Sequence, residues 1–159
     1  MKPVFHTFHD SPLGTLLLIG NSAGLTNLHI KDGKHVPAIP PDASVDATPF
    51  REILRQLDEY FTGNRRTFDV ALALAGTPFQ QRVWQALREI PYGQTLSYAA
   101  LAARLGQPTA VRAVANANAR NRIAIIIPCH RVIGANGSLT GYAGGLAAKE
   151  ALLKLEVPL

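Results

Sequence analysis

Residues 97–119 read SYAALAARLGQPTAVRAVANANA, and this stretch decides how the second half of the chain folds. Ser97 is a typical N-cap for a short helix over 98–105, and the Gly-Gln-Pro run that follows cannot continue this helix. A second helix is predicted over 109–119. Two short helices joined by a turn that contains glycine form a helix-turn-helix, a common DNA-binding unit that also occurs in helical bundles.

The second of these helices has an unusual composition, because it contains five alanines with Arg112 among them. Small side chains let a backbone approach another surface closely, and arginine is the residue type that enters a groove. Packing of the alanines in a protein core is the alternative. Asn116, Asn118 and Arg120 favour a helix that is partly exposed to water.

The chain has a single cysteine, Cys129, in the run IAIIIPCHRVI over 123–133. The apolar run predicts a buried strand that ends at Pro128 and presents the thiol at its exit. A thiolate is the nucleophilic form of cysteine, and neighbouring cations lower the thiol pKa. Because His130 and Arg131 follow at once, the pattern predicts an activated sulfur on a rigid support. A small buried hydrophobic side chain is the alternative for a lone cysteine.

The positive charge of the chain is concentrated in its second half. Residues 76–159 carry nine Lys and Arg against three Asp and Glu, whereas residues 1–75 carry seven against eight. A field of one sign is typical of proteins that bind a polyanion. Since the basic residues lie in the half that carries the cysteine, a nucleic-acid partner is favoured over a simple effect on solubility.

The composition limits the compartment and the metal chemistry. One cysteine excludes an internal disulfide and a four-cysteine zinc site, so a reducing compartment is expected. The first residues lack the apolar core of a signal peptide, and the longest apolar runs are too short to span a bilayer. We therefore expect a cytoplasmic protein without a membrane partner. No cofactor is predicted. No metal site is predicted either, because the histidines at His6, His9, His29 and His35 are scattered and lack cysteine or acid partners.

The first half has the pattern of a small α/β unit. A turn-rich stretch over 20–24 joins two strands of a hairpin, and the prolines of 37–46 predict a loop. A helix is predicted to begin at the N-cap Thr48 and to end at Gly63. The predicted strands span 13–19, 25–30 and 68–74.

A boundary between two domains, 1–75 and 76–159, is predicted at Ala75-Gly76. Directly beyond it, Thr77 caps a helix that starts with a proline. After the cysteine segment, a turn and the glycine-rich loop over 140–145 lead to a closing helix over 146–155.

Several separate motifs occur together and in a fixed order: SY at 97–98, VRAV at 111–114, Asn121, PCHRV at 128–132, TGYAGG at 140–145 and Glu156. On these residues the chain resembles the O6-alkylguanine-DNA alkyltransferases, also called methylated-DNA–protein-cysteine methyltransferases. The resemblance is close over 77–156 and general in the first half. It implies an α/β N-terminal domain, ribonuclease H-like with a small antiparallel sheet and a helix. It also implies a mostly α C-terminal domain with a winged helix-turn-helix.

The resemblance implies a role for each matching residue. Cys129 corresponds to the alkyl acceptor, and His130 to the base that relays the thiol proton through a water. Glu156 orients and charges that histidine, and Asn121 tethers the helix-turn-helix to the cysteine segment. Tyr98 corresponds to the residue that rotates a phosphate and hydrogen-bonds the extruded base.

Further residues are implied for the DNA and for the substrate pocket. Arg112 corresponds to the finger that fills the gap left by an extruded nucleotide. The other implied DNA-binding residues are Tyr98, Ala113, Thr109 and Arg120. The implied pocket residues are Val132, Tyr142, Ala143, Asn118 and Lys149.

The activity that the resemblance implies is DNA repair by a monomer that reacts once. A methyl or other small alkyl group would pass from O6-alkylguanine, and from O4-alkylthymine, in double-stranded DNA to Cys129, with binding through the minor groove. The reactive carbon lies inside a duplex, so the base must first be rotated out. Adjacent residues of an extended chain point to opposite faces, so a water or a bend must connect His130 to the thiol.

Three other functions stay open at the level of the sequence. A damage-sensing DNA-binding protein without turnover shares this architecture but lacks the cysteine. A hydrolase with a Cys-His pair requires an oxyanion hole and usually a histidine distant in sequence. A helix-turn-helix regulator predicts sequence-specific binding without covalent change.

Overall fold

A four-stranded sheet forms the first half of the chain in the computed structural model, which describes residues 3–157. The strand order is β3-β2-β1-β4. Strand β2 pairs antiparallel with both β3 and β1, and β1 pairs parallel with β4. The strands are β1 (Val4–Ser11), β2 (Gly14–Asn21), β3 (Gly24–Ile30) and β4 (Ser44–Val45). The predicted hairpin of β2 and β3 is confirmed.

The sequence analysis missed β1, and it placed the start of β2 one residue too early. The apolar residues of β1 are interrupted by His6, Thr7 and His9, and the strand ends in Asp10 and Ser11, so the run has no continuous apolar signal. Its strand conformation comes from pairing along its whole length with the apolar strand β2, from Val4 opposite Asn21 to Ser11 opposite Gly14. Long-range pairing therefore decides this element.

Helix α1 (Arg51–Phe61) covers the sheet and follows a single 3-10 turn, Thr48–Phe50. The prediction that Thr48 is its N-cap is wrong. The Asp46 carboxylate accepts a hydrogen bond from the Thr48 amide at 2.9 Å, so the chain already turns before α1 begins. The helix ends where predicted, because Gly63 adopts a φ of 81° just after it.

Two predicted strands are not strands in the structure. The stretch 68–74 meets the sheet only where Leu72 bridges Leu25, and the stretch 123–127 meets it only where Ile123 bridges Leu28. Both segments share the outer edge of β3, so neither extends along it. The second segment then bends at Ile125, which has a φ of 73°.

The second half contains four helices and a two-stranded sheet among the described residues, as expected for a mostly α domain with a winged helix-turn-helix. Thr77 and Gln80 form a capping box at the start of the first helix, and Ser97 caps the second. The helix-turn-helix prediction is confirmed, with its second helix starting two residues later than expected. The helices and strands of the second half are α2 (Pro78–Arg88), β5 (Leu96–Ser97), α3 (Tyr98–Arg104), α4 (Val111–Ala119), β6 (Val132–Ile133) and α5 (Leu146–Glu156).

One core joins the helices and holds α4 in place. Trp84 on α2 is fully buried, and its indole N–H donates a hydrogen bond to the Ala117 carbonyl of α4 at 2.9 Å. Val114 and Ala117 form the buried face of α4, which leaves its opposite face in solvent. No helix within residues 3–157 has the length and apolarity that a membrane crossing needs.

Candidate active site

Asn121 positions the segment that carries the cysteine. Its side-chain amide donates hydrogen bonds to the carbonyls of Ile127 at 2.8 Å and Ile123 at 3.2 Å. Its oxygen accepts the Ile123 amide at 3.1 Å. Because all of these bonds are buried, the loop between α4 and Cys129 is held in one conformation.

Cys129 opens a 3-10 turn, Cys129–Arg131, and does not stand at the end of a strand. Its side chain is buried, with 6% exposure. Burial raises the pKa of the thiol, while Asn121 and the positive charge of Lys149 act in the opposite direction. The expectation that His130 and Arg131 lower this pKa is wrong, because the turn directs both of their side chains to Glu156.

Glu156 is the centre of a buried polar network. His130 Nε2 lies 2.7 Å from Glu156 Oε2, and Arg131 donates through Nε to Oε1 at 2.8 Å and through Nη2 to Oε2 at 3.1 Å. The Tyr60 hydroxyl of α1 donates a further hydrogen bond to Oε2. The sequence analysis missed Tyr60, because its spacing within the apolar face of α1 is typical of a core residue.

The protonation states of this network follow from its surroundings. Burial opposes ionisation of Glu156, but hydrogen bonds from His130, Arg131 and Tyr60 lower its pKa to about 2. Burial also lowers the pKa of His130 and outweighs the effect of Glu156, so the imidazole is neutral. A neutral ring that donates Nε2–H to a carboxylate carries its lone pair on Nδ1. That atom is buried and has no hydrogen-bond partner among the described residues.

Cys129 lines a small cavity of about 20 Å³ between the two halves of the chain. Of the predicted pocket residues, Asn118, Tyr142 and Ala143 line this cavity. The Asn118 Oδ1 atom and the Tyr142 hydroxyl are buried without a hydrogen-bond partner within residues 3–157. Buried polar atoms of this kind are expected to find a partner, so they are suited to bind a polar ligand.

Two predicted pocket residues, Val132 and Lys149, lie outside the lining of the cavity. Val132 is fully buried in β6, where it pairs with Leu96. The Lys149 ammonium donates a hydrogen bond to the Thr140 carbonyl at 2.7 Å, and the Tyr98 hydroxyl donates to the same oxygen at 3.2 Å. Lys149 and Tyr98 therefore hold the loop 140–145 through its Thr140 carbonyl.

The first half of the chain contributes to the cavity through residues that the sequence analysis did not predict. His29, Ile30 and Lys34 line it, and the Lys34 amide donates a hydrogen bond to the Ala143 carbonyl at 2.7 Å. Nothing in the local sequence distinguishes these residues, because they reach the cavity only when β3 packs against the second half.

Four of the five predicted DNA-binding residues lie on a separate surface, and the fifth, Tyr98, is half-buried and donates to the Thr140 carbonyl. Thr109, Arg112, Ala113 and Arg120 are exposed along α4 and the turn before it. None of them lines the cavity of Cys129. Within residues 3–157, no group of three His, Cys, Asp or Glu side chains is arranged to hold a metal ion.

Comparison with known proteins identifies both halves of the chain. The family model for the DNA-binding domain of 6-O-methylguanine DNA methyltransferase matches residues 78–157, and the model for its ribonuclease-like domain matches residues 4–74. A methylated-DNA–protein-cysteine methyltransferase of Methanosarcina acetivorans is 52% identical over 153 residues, which are 96% of this chain and 98% of that protein. The protein of the same name from Mycobacterium tuberculosis is 52% identical over 147 residues, with 92% and 88% covered.

Solved structures agree with these sequence matches. The crystal structure of Mycobacterium tuberculosis OGT in complex with DNA superposes with a TM-score of 0.90 at 49% identity, covering 96% of this chain and 92% of that one. The fold and site thus define a class of proteins in which a helix-turn-helix stands beside a buried cysteine. The chain belongs to the 6-O-methylguanine DNA methyltransferase family.

Proposed function

We propose that this protein repairs O6-alkylguanine in double-stranded DNA by transferring the alkyl group irreversibly to Cys129. The observation that carries the proposal is the position of the Cys129 thiol. It lies in a cavity beside a helix-turn-helix, next to a neutral histidine that is held by an ionised glutamate. O4-alkylthymine is proposed as a second substrate, since it presents the same alkyl–oxygen bond.

The transfer exchanges one bond for another. A bond forms between Sγ of Cys129 and the alkyl carbon, while the bond between that carbon and O6 breaks and leaves its electron pair on the guanine. Nδ1 of His130 takes the thiol proton through a water, and a proton returns to the departing guanine. The product is a thioether, which nothing in the proposed mechanism cleaves, so each molecule reacts once.

The other residues of the site have positioning roles in this proposal. Asn121 holds the cysteine segment, and Glu156 fixes the tautomer of His130. Lys149 favours the thiolate, because its charge acts to lower the thiol pKa. Tyr98 hydrogen-bonds the extruded base and rotates a phosphate.

The substrate base is recognised by groups around the cavity. The backbone carbonyls of Cys129 and Val132 accept hydrogen bonds from the guanine amine. Tyr142, the amide of Ala143 and the neighbouring Asn118 surround O6.

The DNA is bound through its minor groove by α4. Arg112 enters the stack where the nucleotide has left, as wedge residues of minor-groove proteins do. Thr109, Ala113 and Arg120 contact the strands beside it. We further propose that the protein acts as a monomer in the cytoplasm, with its domain boundary at residues 75 and 76.

The test is an intact-protein mass spectrum after incubation with a duplex that contains O6-methylguanine. The expected result is the addition of one methyl group to Cys129, with saturation at one equivalent. The Cys129→Ala variant is expected to retain DNA binding and to gain no mass. An unchanged mass of the parent protein would contradict the proposal and favour a damage sensor or a regulator.

A further inference from the structure

A second cavity, which we call the interdomain cleft, lies next to the cavity of Cys129. It is defined by His35 and Asn27 from the first half and by Gln80, Asn116, Arg120 and Arg122 from the second, and its volume is about 340 Å³. His29 and Asn121 form part of the lining of both cavities, so the two are neighbours. None of the nine residues that line the cleft is acidic.

The two arginines of the cleft differ from three other arginines of the protein that have carboxylate partners. Arg55, Arg65 and Arg131 each form an ion pair with a carboxylate. Arg120 and Arg122 are exposed, and their guanidinium groups form no ion pair with any described residue. They are therefore free to bind an anion, and guanidinium groups match the geometry of phosphate oxygens.

Arg122 lines the cleft together with His29. Burial, and then the nearby Arg122 charge, lower the pKa of His29 to about 4. His29 is consequently neutral at pH 7. The His29 side chain can therefore form hydrogen bonds in the lining of the cleft without adding a charge to it.

The cleft is continuous with the exposed face of α4. Arg112 and Asn116 are four residues apart on α4, and Arg120 follows after four more at the C-cap, so the three lie on one side of this helix. The eight steps between consecutive residues from Arg112 to Arg120 span about 12 Å.

We propose that the interdomain cleft binds a backbone phosphate of the DNA strand that lies along α4, with Arg120 and Arg122 as charged donors and His35 as a donor from the opposite wall. This inference rests on the proposed DNA-binding function and assigns the first half of the chain a role in DNA binding. The phosphate contacts both halves of the chain, next to His29 and Asn121, which line both cavities. It thereby couples DNA binding to the position of the cysteine segment.

The test is the salt dependence of binding to an undamaged duplex, compared between the parent protein and the double variant Arg120→Gln/Arg122→Gln. Loss of one phosphate contact is expected to reduce the slope of log K against log salt by about 0.9 and to weaken binding about three- to tenfold at low salt. His35→Asn is expected to weaken binding in the same direction. Asparagine suits this position because the φ of residue 35 is 60°.

The matched control is Arg88→Gln, which removes the charge of another exposed arginine in the same half, outside the cleft. The control is expected to keep the parent slope and to react at the parent rate with free O6-methylguanine base. An unchanged slope in the double variant, or an equal change in the control, would overturn the inference. If the double variant does not fold, the single variant Arg122→Gln carries the same test.

Failure of the parent protein to gain methyl mass would instead count against the proposed function, because binding to undamaged DNA does not depend on transfer.

Discussion

Glu156 shows how much one residue depends on partners from distant parts of the chain. Its carboxylate accepts hydrogen bonds from Tyr60, His130 and Arg131, and the first of these lies 96 residues away. A buried charge is stable only when it is fully hydrogen-bonded. The three donors therefore keep Glu156 ionised, which in turn keeps Nδ1 of His130 available as a base.

The Tyr60→Phe variant tests this network at the scale of a residue. Removal of a hydrogen bond to a buried carboxylate is expected to lower the free energy of unfolding by about 2 kcal/mol. We also expect slower transfer to Cys129, because Glu156 loses a donor and its pKa rises. Urea denaturation and single-turnover kinetics across pH measure the two effects.

Tyr92→Phe is the matched control for this prediction. The Tyr92 hydroxyl donates only to the Leu155 carbonyl, at 3.2 Å, and it does not contact Glu156. Its loss is expected to leave the pH profile of transfer unchanged. Identical pH profiles in the two variants would show that Tyr60 has no part in the proton network.

Helix α4 performs two tasks because its two faces have different chemistry. Val114 and Ala117 fix it to α2, whose Trp84 donates to the Ala117 carbonyl. Arg112 projects from the opposite face into solvent. Because α4 is fixed to the core, Arg112 can enter a DNA groove without any rearrangement of the core. The helix is therefore suited to a role in base extrusion.

The Arg112→Ala variant tests the helix at this scale. We expect transfer from duplex DNA to slow about tenfold, which corresponds to ~1.4 kcal/mol of activation free energy. Transfer from free O6-methylguanine base is expected to continue at the parent rate, because no stack has to be opened. Single-turnover mass spectrometry on both substrates gives the comparison, and equal slowing on both would exclude a role in extrusion.

At the scale of the whole molecule, the outer edge of β3 joins the two halves. Leu25 exchanges backbone hydrogen bonds with the segment at Ala71 and Ala73, while Leu28 exchanges them with Arg122 and Ala124. His29 follows Leu28 on this strand and is buried at the junction. The junction thus contains a titratable group that folding keeps neutral.

The free energy of unfolding is expected to decrease when the pH is lowered, because of His29. Its pKa is about 4 in the folded protein and 6.5 ordinarily, so the unfolded chain binds a proton that the folded chain does not. The free energy of unfolding should therefore decline by about 3 kcal/mol as the pH falls from 6.5 to 4. Urea denaturation at pH 7 and pH 4 measures this decline.

His29→Asn is the comparison for this pH effect. The variant has no group that titrates at position 29, so its stability should change less between pH 7 and pH 4. His9→Asn serves as the control, because His9 lies at the sheet surface near Asp58. A parent-like decline in His29→Asn would show that another group is responsible.

The sequence by itself determined those features whose signals lie within a few residues of one another. The caps at Thr77 and Ser97, the glycine after α1 and the helix-turn-helix follow from local backbone chemistry, and the ordered motifs around Cys129 identified the family. Tertiary structure alone decided the rest. The strand β1, the turn at Cys129, the Tyr60 contact and the interdomain cleft arise when distant segments pack together, and no local preference encodes such contacts. Burial set the protonation states for the same reason, since the exposure of a group depends on the whole fold.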